Sequence, residues 1–104
     1  MQQSVNSIPT LDQLRTCRDD ITALAARYDA HDVRVFGSVA RGDATPDSAI
    51  DLLVSFAPRA SLYDMSGLWQ GLQTLLGRSV DLVSDHPRLK ARLRERIARN
   101  AVAL

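Results

Sequence analysis

Two aspartates stand where carboxylates are costly unless they are used. Asp51 opens the apolar run IDLLVSF (50–56), and Asp81 sits at the matching point of SVDLVS (79–84). An unpaired charge entering a buried strand loses its hydration without compensation. The two runs read alike, IDLLV against VDLV, so neighbouring strands would bring both carboxylates to one end of a sheet. Such a pair of hard oxygen donors suits Mg²⁺, which takes one or two carboxylates and completes its shell with phosphate oxygens and water. The competing explanation is structural: each aspartate caps a helix or pairs with one of the many arginines.

Upstream, Gly37-Ser38 ends a short apolar stretch. Glycine at a strand end lets the chain turn and lets a bulky anion approach the backbone, and the serine adds a hydroxyl donor. If Ser38-Val39-Ala40-Arg41 opens a short helix, its free N–H groups and dipole face the anion. Arg41 adds charge-assisted contacts. A Gly-Ser pair is also an ordinary turn. Phosphoryl-type transfer on two metals needs carboxylates that bridge ions about 3.5–4 Å apart. Residues i and i+2 of a strand share a face, so an Asp-x-Asp pair builds that bridge. Here the position two before Asp51 is Ala49, whose methyl group binds no cation. Asp47, four residues before Asp51 in the loop after Pro46, reaches the site only by rearrangement.

The elements that must position these groups are legible from periodicity. Residues 1–9 form a loose tail. Thr10 with Gln13 fits a capping box, and Leu11, Leu14, Ile21, Leu24, Ala25 and Tyr28 make one apolar face of a helix fading near Asp29. Val33, Val35 and Phe36 are a short strand ending at Gly37. Ile50–Phe56 is nearly all apolar, as a central strand buried on both faces would be, and Pro58 stops it. Leu62, Met65, Leu68, Trp69, Leu72, Leu75 and Leu76 carry a helical period that closes at Gly77. Ser79–Ser84 is a third strand. Pro87 suits the first turn of a last helix, with Leu89, Leu93 and Ile97 as its buried stripe. The order predicts a small α/β fold, a short mixed sheet flanked by helices.

Composition sets bounds. With 104 residues, 45% apolar and 24% charged, the chain makes one domain with an unassisted core. The formal charge of +1 directs it toward neither nucleic acid nor membrane. The single Cys17 excludes an internal disulfide and reads as a small core residue. MQQSVNSIP lacks the pattern of a signal peptide, and no run approaches the ~20 apolar residues of a membrane span. A cytoplasmic protein is expected. Arg88, Lys90, Arg92, Arg94, Arg96 and Arg99 cluster at the C-terminal end. They are either a solvated face with pairs to Glu95 or a surface for an acidic partner or RNA. Few aromatics accompany them, so nucleic acid is not favoured. Trp69 is in helical register and reads as core. His31, in the turn after the first helix, and His86 have no ligand spacing.

The run GSVARGDATPDSAID resembles the signature of the minimal nucleotidyltransferases, small members of the DNA polymerase beta superfamily. Their motif is Gly-Ser, ten residues, then Asp-x-Asp. Here Gly37-Ser38 is followed by residues 39–48 and then Ala49-Ile50-Asp51. The register is intact and the first aspartate is replaced. A third family carboxylate in a later strand corresponds to Asp81, and the likeness extends to the closing LRERIARNAVAL.

The resemblance implies a polymerase beta-like nucleotidyltransferase domain over residues 10–104 that binds ATP with Mg²⁺ in a two-metal site. Gly37, Ser38 and Arg41 would hold the triphosphate, and Asp51 and Asp81 would be the metal and catalytic carboxylates. Small stand-alone members are typically antitoxins. They transfer AMP from ATP to a tyrosine hydroxyl of a cognate HEPN-domain ribonuclease toxin and silence it. Ala49 implies a site that holds nucleotide and transfers it poorly, whether the aspartate was lost naturally or exchanged deliberately. Two other functions fit the same residues: neutralisation of a partner by contact alone, and nucleotidyl transfer to RNA.

Overall fold

In the computed structural model of the chain, which describes residues 7–85 and 91–104, five helices and four strands alternate. They are α1 (Leu11–Thr16), α2 (Arg18–Arg27), β1 (Ala30–Phe36), α3 (Gly37–Arg41), β2 (Ile50–Phe56), α4 (Leu62–Leu76), β3 (Val80–Ser84), α5 (Ala91–Asn100) and β4 (Val102–Ala103). The sheet order is β3-β2-β1-β4, with β2 and β3 parallel and β1 antiparallel to both β2 and β4. This is the short mixed sheet expected. β4 is too short to show an alternating pattern in sequence.

Strand alternation divides the side chains between two faces. Val35, Ile50, Leu52, Val54 and Val80 turn to one face and join Ile21, Ala25, Leu68 and Leu72 in the core. There α2 packs on β1 and α4, and α4 on β3. At the helix contact a side chain on Gly67 would run into the ring of Tyr28. The same alternation sends Phe36, Asp51, Leu53, Asp81 and Val83 to the opposite face. α5 covers part of that face, packing on α3 and β1 and burying Ile97. Its anchor is ionic: Asp85, just beyond β3, pairs with Arg34 of β1 at 2.9 Å and Arg94 of α5 at 3.0 Å.

The register of β1 is set by a bulge. One extra residue between His31 and Arg34, with Asp32 at φ 55°, shifts the ladder so that Phe36 pairs with Asp51. A short polar side chain tolerates that left-handed backbone better than a branched one.

Several expectations are corrected. The first helix is two helices, broken at Cys17. Thr16 Oγ1 donates to the Gln13 carbonyl at 2.6 Å, and the Cys17 N–H turns to Leu14 O at 3.0 Å instead. A hydroxyl that takes a helix carbonyl competes with the backbone ladder. The capping boxes that start α1 and α4 both form, as does the left-handed cap at Gly77. His31 lies within β1, exposed. Leu93 is 42% exposed rather than buried, and Trp69 is 41% exposed rather than core. Arg94 pairs with Asp85, not Glu95. Pro87, Leu89, Arg88, Lys90 and His86 lie outside the described residues. Of the expected tail, Pro9 is buried and the Ser7 carbonyl accepts from Arg78. Among the described residues no helix is long and apolar enough to cross a membrane.

Candidate active site

Asp51 and Asp81 are register partners on the parallel strands β2 and β3. Equal register on adjacent strands puts both side chains on one face, side by side. Burial first, then a hydrogen bond to Asp81 and the charge of Asp81, push the Asp51 carboxyl up to about 6, while Arg41 pulls it down. The neighbouring carboxylate thus makes ionisation of Asp51 harder. Among the described residues neither forms an ion pair, which leaves the structural explanation of these aspartates without partners.

Gly37 completes the contact. It follows Phe36, the β1 partner of Asp51, and begins α3 at φ 72°. A side chain there would fall on the Asp51 carboxylate. Glycine is thus required twice, by its backbone angle and by the space. No side chain caps the first turn of α3, so its N–H groups keep their donor capacity. Gly42 closes the helix at φ 85°.

Gly37, Arg41, Asp51 and Asp81 line one cavity of about 970 Å³. Arg41 also pairs with Asp43 at 3.2 Å. Ser38 and Ala49 are not among the lining residues. Ser38 sits half-buried in α3, its carbonyl accepting from the N–H groups of Gly42 and Asp43. Ala49 is half-buried just before β2. Asp47 is exposed in a fastened turn: Ser48 Oγ accepts from Thr45 N–H at 2.9 Å, and Arg78 donates to Pro46 O at 2.6 Å. Bringing Asp47 to the carboxylate pair would break those bonds.

Other walls were missed by sequence reading. Arg96, Arg99 and Asn100 of α5 line the cavity, as do Met65 and Trp69 of α4. The basic cluster was visible, but its direction depends on α5 lying across the sheet. The Trp69 indole N–H donates to Val80 O at 2.7 Å, which fixes the ring at the cavity wall.

The donor set can be tested for Mg²⁺. Two adjacent carboxylates, one with raised proton affinity, form a concentrated negative site open to a cavity with cationic walls. That fits one hard cation whose other ligands come from phosphates. Among the described residues no cluster of three potential protein ligands occurs, so a bridged two-metal arrangement lacks its third carboxylate.

Comparison with known proteins agrees with this geometry. The nucleotidyltransferase domain family matches residues 17–104. The protein adenylyltransferase MntA of Thermococcus cleftensis is 38% identical over 79 residues, covering 76% of this chain and 75% of that protein. A solved structure provisionally named a minimal nucleotidyltransferase superposes with a TM-score of 0.81 at 47% identity, covering 92% of this chain and 97% of the other. A Shewanella oneidensis MNT antitoxin in complex with a tri-AMPylated HEPN toxin shares the fold, with a TM-score of 0.64 at 20% identity over 86% of this chain and 69% of that one. The chain belongs to the nucleotidyltransferase domain family and is a minimal nucleotidyltransferase.

Proposed function

We propose that this chain is an antitoxin-type nucleotidyltransferase that binds ATP with Mg²⁺, and that its intact form transfers AMP to a tyrosine hydroxyl of a cognate HEPN-domain toxin. The observation that carries the reading is the Asp51–Asp81 pair, in register on adjacent strands at the wall of a cationic cavity, with Asp51 packed against Gly37. The adenylyltransferase relative and the toxin-bound fold neighbour support the choice of AMP and of partner. The reading takes residues 10–104 as the nucleotidyltransferase domain, and an ATP-dependent role fits a cytoplasmic protein.

The residues divide the work. Gly37 leaves room for the Asp51 carboxylate beside the backbone, the first turn of α3 with Ser38 donates to the triphosphate, and Arg41 neutralises charge. Arg96 and Arg99 do the same from the facing wall. Asp51 and Asp81 would hold Mg²⁺, which when bound screens the triphosphate and favours an ionised acceptor. In the transfer the acceptor oxygen bonds the α-phosphorus and the α–β bridging P–O bond breaks. Pyrophosphate leaves, and the hydroxyl proton passes to Asp81.

Ala49 impairs this chain. Without a carboxylate two residues before Asp51, no group bridges to a second ion. Restoring it is the test. With α-labelled ATP, Mg²⁺ and the cognate HEPN toxin, Ala49→Asp should raise labelling of the toxin by on the order of 10²-fold or more. No gain in label would overturn the impaired-enzyme reading. Ala49 itself favours a second reading, neutralisation by contact alone. That reading expects the unaltered chain to suppress toxin ribonuclease activity without ATP.

A further inference from the structure

Asp81 is exposed, and among the described residues no cation pairs with it. Its carboxylate is therefore aimed by the backbone of β3. That strand is the outer one of the sheet, and among the described residues it pairs on one side only. Half the peptide groups of such an edge lack a ladder partner, and segments with few internal hydrogen bonds open locally at low cost. A displacement of about 1 Å at a reacting group already slows catalysis severely. Something other than a second strand has to steady the approach to Asp81.

α4 supplies it. Ile50 N–H donates to Ser79 O at 3.0 Å and Asp85 N–H to Val54 O at 2.7 Å, so residues 79, 81, 83 and 85 turn their peptide groups to β2. Val80 turns its own outward, and both are taken. Its carbonyl accepts from the Trp69 indole N–H at 2.7 Å, and its N–H donates to Gln73 Oε1 at 3.2 Å. Trp69 and Gln73 are four residues apart on one face of α4, so the helix offers a donor and an acceptor as a neighbouring strand would. The Val80 carbonyl belongs to the same peptide group as the Asp81 N–H. Trp69 thus grips one side of the peptide that leads into Asp81, and β2 grips the other. Leu68 and Leu72 are the buried residues that seat α4 in the core, whereas Trp69 is 41% exposed.

We propose that Trp69 and Gln73 are positioning residues for Asp81. Together they stand in for a missing neighbour strand and fix the Val80–Asp81 peptide, which keeps the Asp81 carboxylate in place beside Asp51 as the acceptor hydroxyl approaches. The proposal rests on the AMP-transfer reading, in which Asp81 takes the acceptor's proton. The groups assigned to the triphosphate, α3 and Arg41, lie outside this brace. Loosening it therefore slows the transfer step and spares the binding of ATP, a division that a general loss of stability would not produce.

Three variants test it. Trp69→Phe keeps an aromatic ring and removes the donor, Gln73→Leu removes the acceptor, and Gln73→Glu keeps one. In the otherwise unaltered chain, labelled with ¹⁵N and ¹³C, Gln73→Leu should speed hydrogen exchange at the Val80 amide by about fivefold or more. Trp69→Phe should do the same at the Asp81 amide. Both should move the Asp81 carboxyl ¹³C signal, and Gln73→Glu should leave all three at their parent values. Equal acceleration at the Leu68 and Leu72 amides would mean a structural role only and overturn the proposal. In the Ala49→Asp form, with α-labelled ATP, Mg²⁺ and the HEPN toxin, Trp69→Phe and Gln73→Leu should lower kcat about tenfold or more while the KM for ATP stays within about twofold. Gln73→Glu should restore kcat. An unchanged kcat, a loss carried by the KM for ATP, or a loss that Gln73→Glu does not restore overturns the brace. If Ala49→Asp labels no toxin, the transfer reading falls by itself. The brace then stands if the Asp81 amide and carboxyl signals respond to Trp69→Phe, and falls if they do not.

Discussion

Asp51 has a proton affinity that only its neighbourhood explains. Its carboxyl is pushed up to about 6 by burial and by Asp81, so ionising it opposes folding. The cost is absent below about pH 4, where folded and unfolded forms both hold the proton. It grows as pH rises and is complete above about 6. Asp51→Asn should therefore stabilise the apo protein at pH 7.5 by roughly 1 kcal/mol after solvent screening, and the gain should vanish toward pH 4. Denaturant melts across that range check the sign. Mg²⁺-ATP affinity should run the other way and weaken below pH 6, as Asp51 takes up its proton. Gly37→Ala is expected to cost about 1–3 kcal/mol from backbone strain alone and to displace the Asp51 carboxylate. Nucleotide binding should fail while secondary structure by circular dichroism persists. The aspartates and Gly37 were legible as types and spacing. Their contact was not, because Gly37 and Asp51 meet only once β1 and β2 pair.

At the scale of elements, the position of α5 matters most. Among the described residues Ile97 is buried and Leu93 is exposed, and the Asp85 clamp ties α5 to the sheet beside Ile97. Arg94 first, with Arg34 behind it, holds the Asp85 carboxyl below the usual carboxylate range. That stabilisation is present above the ordinary range near pH 4 and is lost as pH falls through the depressed value. Asp85→Asn should cost roughly 1–3 kcal/mol at pH 7 and speed hydrogen exchange in α5. Nucleotide affinity should drop with it, because Arg96 and Arg99 ride on the same helix. Gly67→Ala probes the other face. A methyl group against Tyr28 should separate α2 from α4 and destabilise by about 1–3 kcal/mol, read as a lower denaturant midpoint. The start at Thr10 and the stop at Gly77 were readable from their residue types, whereas the capping box at Ser61 emerged only in the structure. The break at Cys17 was not readable, since Thr16 can bond a carbonyl without interrupting the apolar stripe.

Across the whole molecule, one cavity joins α3, β2, β3, α4 and α5, so a ligand there ties together elements distant in sequence. Binding to the folded state alone adds about 2.7 kcal/mol at a hundredfold excess over Kd. Mg²⁺-ATP should raise Tm accordingly, by several degrees or more for a domain of this size. Trp69 is the single tryptophan and stands at the cavity wall. Its emission should change in the same titration and follow the same binding curve.

Amino-acid order determined the fold class and the identity of the charged groups. Apolar period and caps gave the helices, a continuous apolar run marked the central strand, and spacing tied Gly37-Ser38 to Asp51 across an intact loop. Tertiary structure decided what those groups face. The parallel pairing of β2 with β3 set Asp51 beside Asp81, and the bulge in β1 brought Gly37 onto Asp51. The crossing of α5 turned Arg96 and Arg99 from a basic stretch of sequence into a cavity wall. The physical reason is range: caps and periods act within a few residues, whereas charge repulsion and close packing act between strands that meet only in the folded sheet.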